Sequence, residues 1–319
     1  METAERATRA TRATDGAMRF RAMGSDAHVV VVGGRAGLVD DVRRRIVDLE
    51  RRWSRFLVDS EVSALNSCAG AAVEVSAETR LLIARAVEAW RLTGGAFDPT
   101  VLGSLERAGY SRSFELGPLA VDTPRRALVG CTDITIDATA VRLPPGTGFD
   151  AGGIGKGLAA DLVVEETLAA GAAGVCVNLG GDVRVAGQPP AGTTWTIAIE
   201  HPWARTPLVR LGLGGGAVAT STTLRRTWDL GGQRYHHLID PATGVPAATD
   251  LTSATVVTGQ AWAAEVLAKA VLLRGRDRAF DVLDVDAEAL VVTIDGAVAA
   301  TPGLRAFLGD QVLPVEVER

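Results

Sequence analysis

The segment Asp150-Ala151-Gly152-Gly153-Ile154-Gly155-Lys156-Gly157 joins a polar, broken part of the chain to an apolar run that continues to Ala170. Glycines allow a backbone to lie close to a ligand or to another segment, and the first turn of a helix presents free N–H groups to an anion. The pattern therefore predicts a helix over residues 157–170 with a phosphate group at its N-terminus. A tight turn that merely precedes a helix is the alternative that the glycines alone leave open. The segment is neither a P-loop nor a Rossmann fingerprint, because the Gly-x4-Gly-Lys-Ser/Thr spacing is absent and no strand immediately precedes a GxGxxG.

Lysine is rare in this chain, since Lys156 and Lys269 are the only lysines among 33 basic residues. A compact ammonium can lie against a phosphate as a point charge where a planar guanidinium does not fit. Lys156 stands at the junction of the glycines and the helix. Lys269 follows Glu265 by four positions in a helix predicted over 261–273, so both side chains lie on one face. Their neighbours are apolar, which indicates either a buried ion pair or the wall of a polar site.

The composition is that of a globular protein with ample core. The chain has 319 residues, of which 47% are hydrophobic and 22% charged, and its net charge is -5. Nucleic acid is not an expected partner, because no basic block with interleaved aromatic residues occurs. Three cysteines without a CxxC pair indicate a reducing compartment.

The first residues of the chain are rich in arginine, threonine and alanine. We expect residues 1–17 to form a disordered tail and residues 18–319 to form one domain. The tail contains neither an apolar signal segment nor a lipoprotein cysteine. No apolar run approaches the roughly 20 residues of a membrane-spanning helix. These features predict a cytoplasmic protein without membrane insertion.

The hydrophobic pattern predicts an α+β fold with a mixed sheet flanked by helices, because strands occur both in runs and between helices. Helices are predicted over 38–53, 79–92, 157–170 and 261–273. Strands are predicted over 29–32, 134–136, 140–143, 175–178, 183–186, 195–200, 208–213, 217–220, 253–257 and 289–294.

Two of the four histidines, His236 and His237, precede an Asp-Pro-x-Thr-Gly turn over residues 240–244. A histidine beside such a turn is either a general base or a hydrogen-bonded core residue, and the sequence leaves both open. A zinc site is not expected, because neither HxxxH nor HExxH occurs.

Two further segments carry polar groups suited to ligand contacts. The turn over residues 94–100 places Phe97 beside Asp98, and this ring either stacks on a ligand or fills core. Thr220 and Ser221 lie at a strand end, where hydroxyl groups suit phosphate contacts.

In their order along the chain, these segments resemble the ApbE family, the FAD:protein FMN transferases. The matching segments cover roughly residues 20–275, and they are 22–25, 56–66, 95–100, 150–157, 177–184, 219–221, 237–244 and the helix that begins at Ala261. The resemblance implies an α+β domain of two lobes with an FAD cleft between them.

The resemblance also implies which residues hold FAD. The contacts that it implies with the flavin, the adenine or the diphosphate come from Met23, Phe56, Ala96, Phe97, Asp98, Asp150, Lys156, Thr220, Ser221, His237 and Leu238. His237 and Lys269 take the catalytic positions.

By this resemblance, the FMN moiety of FAD is transferred through a phosphoester bond to a threonine or serine hydroxyl of an acceptor protein, and AMP is released. A magnesium ion bridges the diphosphate, in keeping with metal-assisted phosphoryl transfer. Two alternatives stay open. One is an FAD pyrophosphatase, in which water replaces the protein hydroxyl, and the other is a flavin-binding protein without catalysis.

The chain differs from the family at two of the residues that bind the metal. The family's metal helix carries an aspartate and, four residues later, a threonine, whereas Glu265 and Lys269 stand at these positions. The third ligand is a backbone carbonyl that matches Gly153. A protonated lysine cannot coordinate a metal. We therefore hypothesise that the Lys269 ammonium occupies or crowds the metal position, held by Glu265 and the Gly153 carbonyl. The alternative is that the longer side chain of Glu265 still holds a displaced Mg²⁺.

Overall fold

The computed structural model describes residues 15–121, 130–284 and 286–313. Residues 1–14 of the predicted tail lie outside these ranges, whereas Gly16 and Ala17 belong to the first strand. Within the described ranges, no helix combines the length and the apolar character needed to cross a bilayer.

The chain forms six α-helices and seventeen strands within the described residues. The α-helices are α1 Leu38–Trp53, α2 Glu61–Ser67, α3 Ala77–Leu92, α4 Leu102–Arg107, α5 Gly155–Ala169 and α6 Ala261–Arg274. The strands are β1 Gly16–Ala22, β2 Ser25–Val32, β3 Ala72–Glu74, β4 Thr135–Ile136, β5 Ala140–Arg142, β6 Gly174–Leu179, β7 Asp182–Gly187, β8 Trp195–Ile199, β9 Val209–Leu213, β10 Gly216–Thr222, β11 Thr227–Leu230, β12 Gln233–His236, β13 Ile239–Asp240, β14 Val245–Pro246, β15 Leu251–Thr258, β16 Glu288–Thr293 and β17 Val298–Ala300. Short 3-10 helices cover Phe114–Leu116, Ala151–Gly153, Arg276–Val282 and Pro302–Phe307.

Eight strands form the main sheet, in the order β1-β2-β6-β7-β10-β15-β16-β17, and every described pair of neighbours is antiparallel. The α+β class is confirmed, but the sheet is not mixed as predicted. A helix between two strands suggested parallel crossovers. Here a 3-10 segment after α6 carries the chain back along the sheet. The Arg276 amide donates to Asp250 at the start of β15, at 2.9 Å, whereas Glu288 of β16 pairs with Val257 near the other end of that strand.

Different layers cover the two faces of the main sheet. Helices α1, α5 and α6 lie on one face and form the large core with Ala254 and Val256 of β15. The β8–β9 hairpin covers the other face, where Trp195 belongs to the same cluster as Val257. This division follows from the period of a strand, whose successive side chains point to opposite faces.

A third, smaller core lies apart from the two sheet faces. It consists of Leu105, Ala108, Tyr110, Trp228 and Ile239, contributed by α4, the residues after it, β11 and β13. The Trp228 indole donates to the Ala108 carbonyl at 2.8 Å and fixes the β11–β12 hairpin against the end of α4.

Helices α5 and α6 meet through their backbones. A Cβ on Gly157 would stand 2.3 Å from the Ala261 carbonyl oxygen, so only glycine permits this approach. One turn further along α5, Asp161 accepts hydrogen bonds from the amides of Ala261 at 2.8 Å and Trp262 at 2.9 Å. Asp161 therefore caps α6, whose preceding residue supplies no side-chain cap. Burial raises the pKa of Asp161 to about 6, against the opposing effect of the two amides and of Arg184.

We expect Gly157→Ala to lower the free energy of unfolding by about 1–3 kcal/mol, because the added methyl group must push α6 away from α5. Gly155→Ala is the matched control on the same helix. Its Cβ would meet only the Ala151 side chain at 3.5 Å and Trp53 at 3.8 Å, which are ordinary contacts. We expect it to stay within about 1 kcal/mol of the wild type. Urea denaturation measures both, and equal stabilities would contradict the prediction.

Candidate active site

A cavity of about 670 Å³ opens between the large core and the small core. Trp53 and Phe97 of the large core line it on one side, and Leu105, Tyr110 and Ile239 of the small core line it on the other. The predicted arrangement of two lobes with a cleft between them is confirmed. The volume lies within the range of about 300–1,000 Å³ that small-molecule sites occupy.

Most of the site residues predicted from the sequence meet at this cavity. Its lining includes Met23, Phe56, Ala96, Phe97, Asp98, Asp150, Gly153, Lys156, His237, Leu238 and Lys269. Three predicted residues lie outside the lining, namely Thr220, Ser221 and Glu265. Segments far apart in the chain are thus brought together as the motif order suggested.

The strand register keeps Thr220 away from the cavity. Ala219 and its β15 partner Val256 belong to the core on the helix face, so Thr220 points to the opposite face of the sheet. There its hydroxyl lies 2.8 Å from that of Thr255. Ser221 is on the helix face but is buried and does not line the cavity. Thr220 therefore faces away from the cavity, because a one-residue step reverses the direction of a strand side chain, and its contact with FAD stays a prediction.

Glu265 lies behind the cavity wall, at the centre of a cluster of charges. Its Oε1 accepts a hydrogen bond from Lys156 Nζ at 2.6 Å and another from Lys269 Nζ at 3.3 Å. Its Oε2 accepts from the Gly157 amide at 2.8 Å. Lys156 also forms an ion pair with Asp182. The Glu265 side chain is only 1% exposed, so these donors replace the water that a carboxylate needs.

The charges of the cluster shift one another's pKa values. Burial lowers the pKa of Lys156, but Asp182 and Glu265 outweigh burial and raise it. Burial raises the pKa of Glu265, but Lys156 and Lys269 bring it down to about 2. Burial raises the pKa of Asp182, although Lys156 opposes the shift. Burial also lowers the pKa of Lys269, which Glu265 only partly offsets.

The predicted magnesium site does not fit the contacts of its proposed ligands. Mg²⁺ requires oxygen ligands in near-octahedral geometry at about 2.0–2.1 Å. Both carboxylate oxygens of Glu265 already accept hydrogen bonds, and Lys269 cannot coordinate while protonated. In the described part of the chain, no group of three or more His, Cys, Asp or Glu side chains can hold a metal ion. No chemical step is therefore assigned to Mg²⁺.

The glycine-rich segment is fixed by Asp150 and by two residues that the sequence did not single out, Arg55 and Asn66. Asp150 accepts from the Gly152 amide at 2.9 Å, and Arg55 Nε lies 3.5 Å from the same carboxylate. Asn66 of α2 holds the preceding residue, Phe149, from both sides. Its amide donates to the Phe149 carbonyl at 2.9 Å, and its oxygen accepts from the Phe149 N–H at 2.6 Å. Asn66 closes the 56–66 motif, and that position was the only signal of its role.

An aromatic wall forms beside this segment. The Arg55 guanidinium lies over the Phe56 ring, 4.2 Å from its centroid, and over the Tyr110 ring at 4.8 Å. The two rings themselves lie 5.7 Å apart. Phe56 is 39% exposed and lines the cavity, and its contact with FAD stays a prediction. Tyr110 lies in none of the motifs, so the sequence did not identify it as a site residue.

The turn over residues 94–100 lies against the glycines. Phe97 Cε2 is 2.7 Å from the position that a Cβ on Gly153 would take, so a side chain cannot be added there without moving this ring. Asp98 accepts from the Thr100 amide at 2.7 Å and from its hydroxyl at 2.6 Å. Burial raises the pKa of Asp98 although both bonds oppose the shift. Phe97 belongs to the large core and also lines the cavity, so it fills core, whereas its stacking on a ligand stays a prediction.

The two adjacent histidines have different environments. His236 is hydrogen-bonded at both ring nitrogens, since Nε2 lies 3.1 Å from the Ala247 carbonyl and Nδ1 accepts from the Leu238 amide at 3.2 Å. His237 lines the cavity, and its buried Nδ1 has no hydrogen-bond partner among the described residues. Burial, and then the charge of Arg226, hold the pKa of His237 well below its usual value. His237 is therefore neutral near pH 7 and able to accept a proton.

Known proteins resemble this chain over most of its length. Residues 23–292 match the sequence profile of the ApbE family. The chain is 30% identical over 260 residues to the FAD:protein FMN transferase of Haemophilus influenzae, across 77% of this chain and 75% of that protein. It is 30% identical over 258 residues to the protein of the same name from Vibrio cholerae, across 78% and 77%.

Solved structures have the same fold. The crystal structure of the ApbE protein of Thermotoga maritima superposes with a TM-score of 0.82 at 29% identity, over 92% of this chain and 99% of that chain. The apo form of the Pseudomonas stutzeri flavinyl transferase ApbE superposes with a TM-score of 0.81 at 26% identity, over 94% and 99%.

We expect Glu265→Gln to lower the free energy of unfolding by about 3–5 kcal/mol, because it leaves the buried Lys269 ammonium without a carboxylate and Lys156 with Asp182 alone. Glu165→Gln makes the same chemical change at an exposed position of α5 and should cost less than about 0.5 kcal/mol. Guanidinium denaturation of the two variants gives the comparison. A Glu265→Gln protein as stable as the Glu165→Gln control would show that the cluster contributes nothing to folding.

Proposed function

Because the chain belongs to the ApbE family, we propose that it is an FAD:protein FMN transferase, an enzyme that moves FMN from FAD to an acceptor protein. In finer detail, we propose that the acceptor atom is a threonine or serine hydroxyl oxygen and that AMP is the second product. The cytoplasmic location stays a prediction from the sequence.

One observation carries the proposal, namely that a single cavity combines an aromatic wall with two ammonium groups. Phe56 offers a partly exposed ring of the kind on which an isoalloxazine or adenine ring stacks, and the buried Tyr110 ring packs against it. Lys156 and Lys269 offer positive charge to a diphosphate. FAD carries both chemical features in one molecule, and a cavity with only one of them would suit a different ligand.

The proposed transfer needs a nucleophile, a proton acceptor and charge compensation. The acceptor hydroxyl oxygen forms a bond to the phosphorus of the FMN moiety, and the bond from that phosphorus to the bridging oxygen breaks. AMP leaves with this oxygen, and FMN stays on the protein as a phosphoester. His237, which lines the cavity and whose imidazole is neutral, takes the hydroxyl proton. Lys156 and Lys269 offset the charge that develops on the phosphate oxygens.

A gel assay tests the proposal. The protein is incubated with FAD and a threonine-bearing acceptor domain, and the mixture is run on a denaturing gel. A fluorescent flavin band on the acceptor, with one AMP released per label, is the expected result. AMP without a labelled protein would identify an FAD pyrophosphatase instead. Bound flavin with neither product would identify a flavin-binding protein.

We expect Lys156→Ala to weaken FAD binding by about 10- to 100-fold, since a hydrogen bond to a charged group contributes about 1.5–3 kcal/mol. Riboflavin lacks the diphosphate, so its affinity should change little. Arg278→Ala removes one positive charge from an exposed ion pair and serves as the control for net charge. Flavin fluorescence titrations measure all of these affinities, and unchanged FAD affinity in Lys156→Ala would remove Lys156 from the diphosphate site.

A further inference from the structure

We propose that the Lys269 ammonium takes the place of a divalent cation beside the diphosphate, so that this chain binds FAD and transfers FMN without Mg²⁺. The inference rests on the proposed function for its ligand. Its structural basis is the set of contacts around Glu265, which are independent of that function.

Lys269 reaches the cavity from behind the glycine-rich segment. Its Cε and Cδ atoms lie 3.3 and 3.4 Å from the position that a Cβ on Gly153 would take. The side chain is 14% exposed and lines the cavity, whereas Glu265 beneath it is 1% exposed and does not. The ammonium therefore stands between the buried carboxylate and the space where a ligand binds.

The two lysines of the cluster have different numbers of carboxylate partners. Lys156 pairs with both Asp182 and Glu265, in short contacts. Lys269 has only Glu265 within hydrogen-bond distance among the described residues, through its carboxylate and its main-chain carbonyl, each at 3.3 Å. An ammonium carries three N–H donors, so Lys269 retains donor capacity for a ligand oxygen.

The same contacts oppose a metal ion. Both oxygens of Glu265 accept hydrogen bonds, from two ammonium groups and from the Gly157 amide. A divalent cation at this carboxylate would have to displace these donors and would then be repelled by the two ammonium charges. Two carboxylates and two ammonium groups leave the cluster of Lys156, Asp182, Glu265 and Lys269 formally neutral without any added ion.

A diphosphate is a ligand that suits this arrangement of charges. A negatively charged oxygen beside Lys269 favours the charged form of the amine and accepts a hydrogen bond from its remaining N–H. The ammonium supplies one positive charge where a metal would supply two, and it does so from a fixed point of the chain.

Binding measurements with manganese and magnesium provide the test. Mn²⁺ is titrated into the FAD-loaded wild-type protein, and the loss of the free-ion signal in electron paramagnetic resonance reports bound metal. FAD affinity is then measured by fluorescence in EDTA and in excess Mg²⁺. We expect no stoichiometric Mn²⁺ binding and FAD affinities that agree within about twofold. Stoichiometric Mn²⁺ binding, or a loss of FAD affinity in EDTA, would overturn the inference.

Two variants sharpen the result. Lys269→Met keeps the length of the side chain but removes its charge, and it should weaken FAD binding at least about tenfold in EDTA and in Mg²⁺ alike. The double variant Glu265→Asp/Lys269→Thr offers a metal a carboxylate and a hydroxyl, and it should bind Mn²⁺ and recover FAD affinity only with Mg²⁺. Wild-type affinity for FAD in Lys269→Met would contradict the inference. If the double variant does not fold, the wild-type and Lys269→Met measurements decide the question.

The labelling gel is run with EDTA and with Mg²⁺ to separate this inference from the proposed function. Labelling that is equal under both conditions supports both. Labelling only with Mg²⁺ overturns the inference and leaves the transfer in place. Absence of labelling under both conditions counts against the transfer, with or without Mg²⁺, whereas the measurements of metal binding and FAD affinity still test whether Lys269 takes the place of the cation.

Discussion

The burial of Glu265 is the constraint on which the rest of the site depends. A carboxylate that is withdrawn from water must find donors for both oxygens. Here they come from two segments, namely the start of α5, through the Gly157 amide and the Lys156 side chain, and the next turn of α6, through Lys269. The Gly157 amide can reach Glu265 only because the backbones of α5 and α6 touch. The same helix contact therefore positions the glycine-rich segment, orients both lysines and sets the charge at the floor of the cavity.

Much of this site could be predicted from local sequence. A local geometry is implied by the glycine-rich segment, by the rare lysines and by the spacing of Glu265 and Lys269. The order of the motifs along the chain then indicated the family. Thr220 shows the limit of such reasoning, because a motif identifies a strand end but not the face to which each residue points. Arg55, Asn66 and Tyr110 were missed because their roles lie in contacts with distant segments, such as Asn66 with Phe149.

The fold, too, was predicted from the sequence only in part. Apolar periodicity predicted the four long helices and most strands of the main sheet, since these signals are local. It did not predict that the sheet is antiparallel throughout its described pairs. That property depends on the 3-10 segment after α6, which returns the chain across the sheet before β16 begins. The hydrophobic pattern of a helix between two strands is the same whether the second strand runs parallel or antiparallel.

The bond between Gly157 and Glu265 spans 108 residues, and Asp161 caps α6 across 100 residues. Loops of this length close slowly, because contacts between distant segments form only after the intervening chain has been ordered. During synthesis, α5 is made about 90 residues before α6 begins, so the contact between the two helices cannot form until α6 has been made. The glycine-rich segment therefore gains its hydrogen bond to Glu265 only after most of the chain has been made.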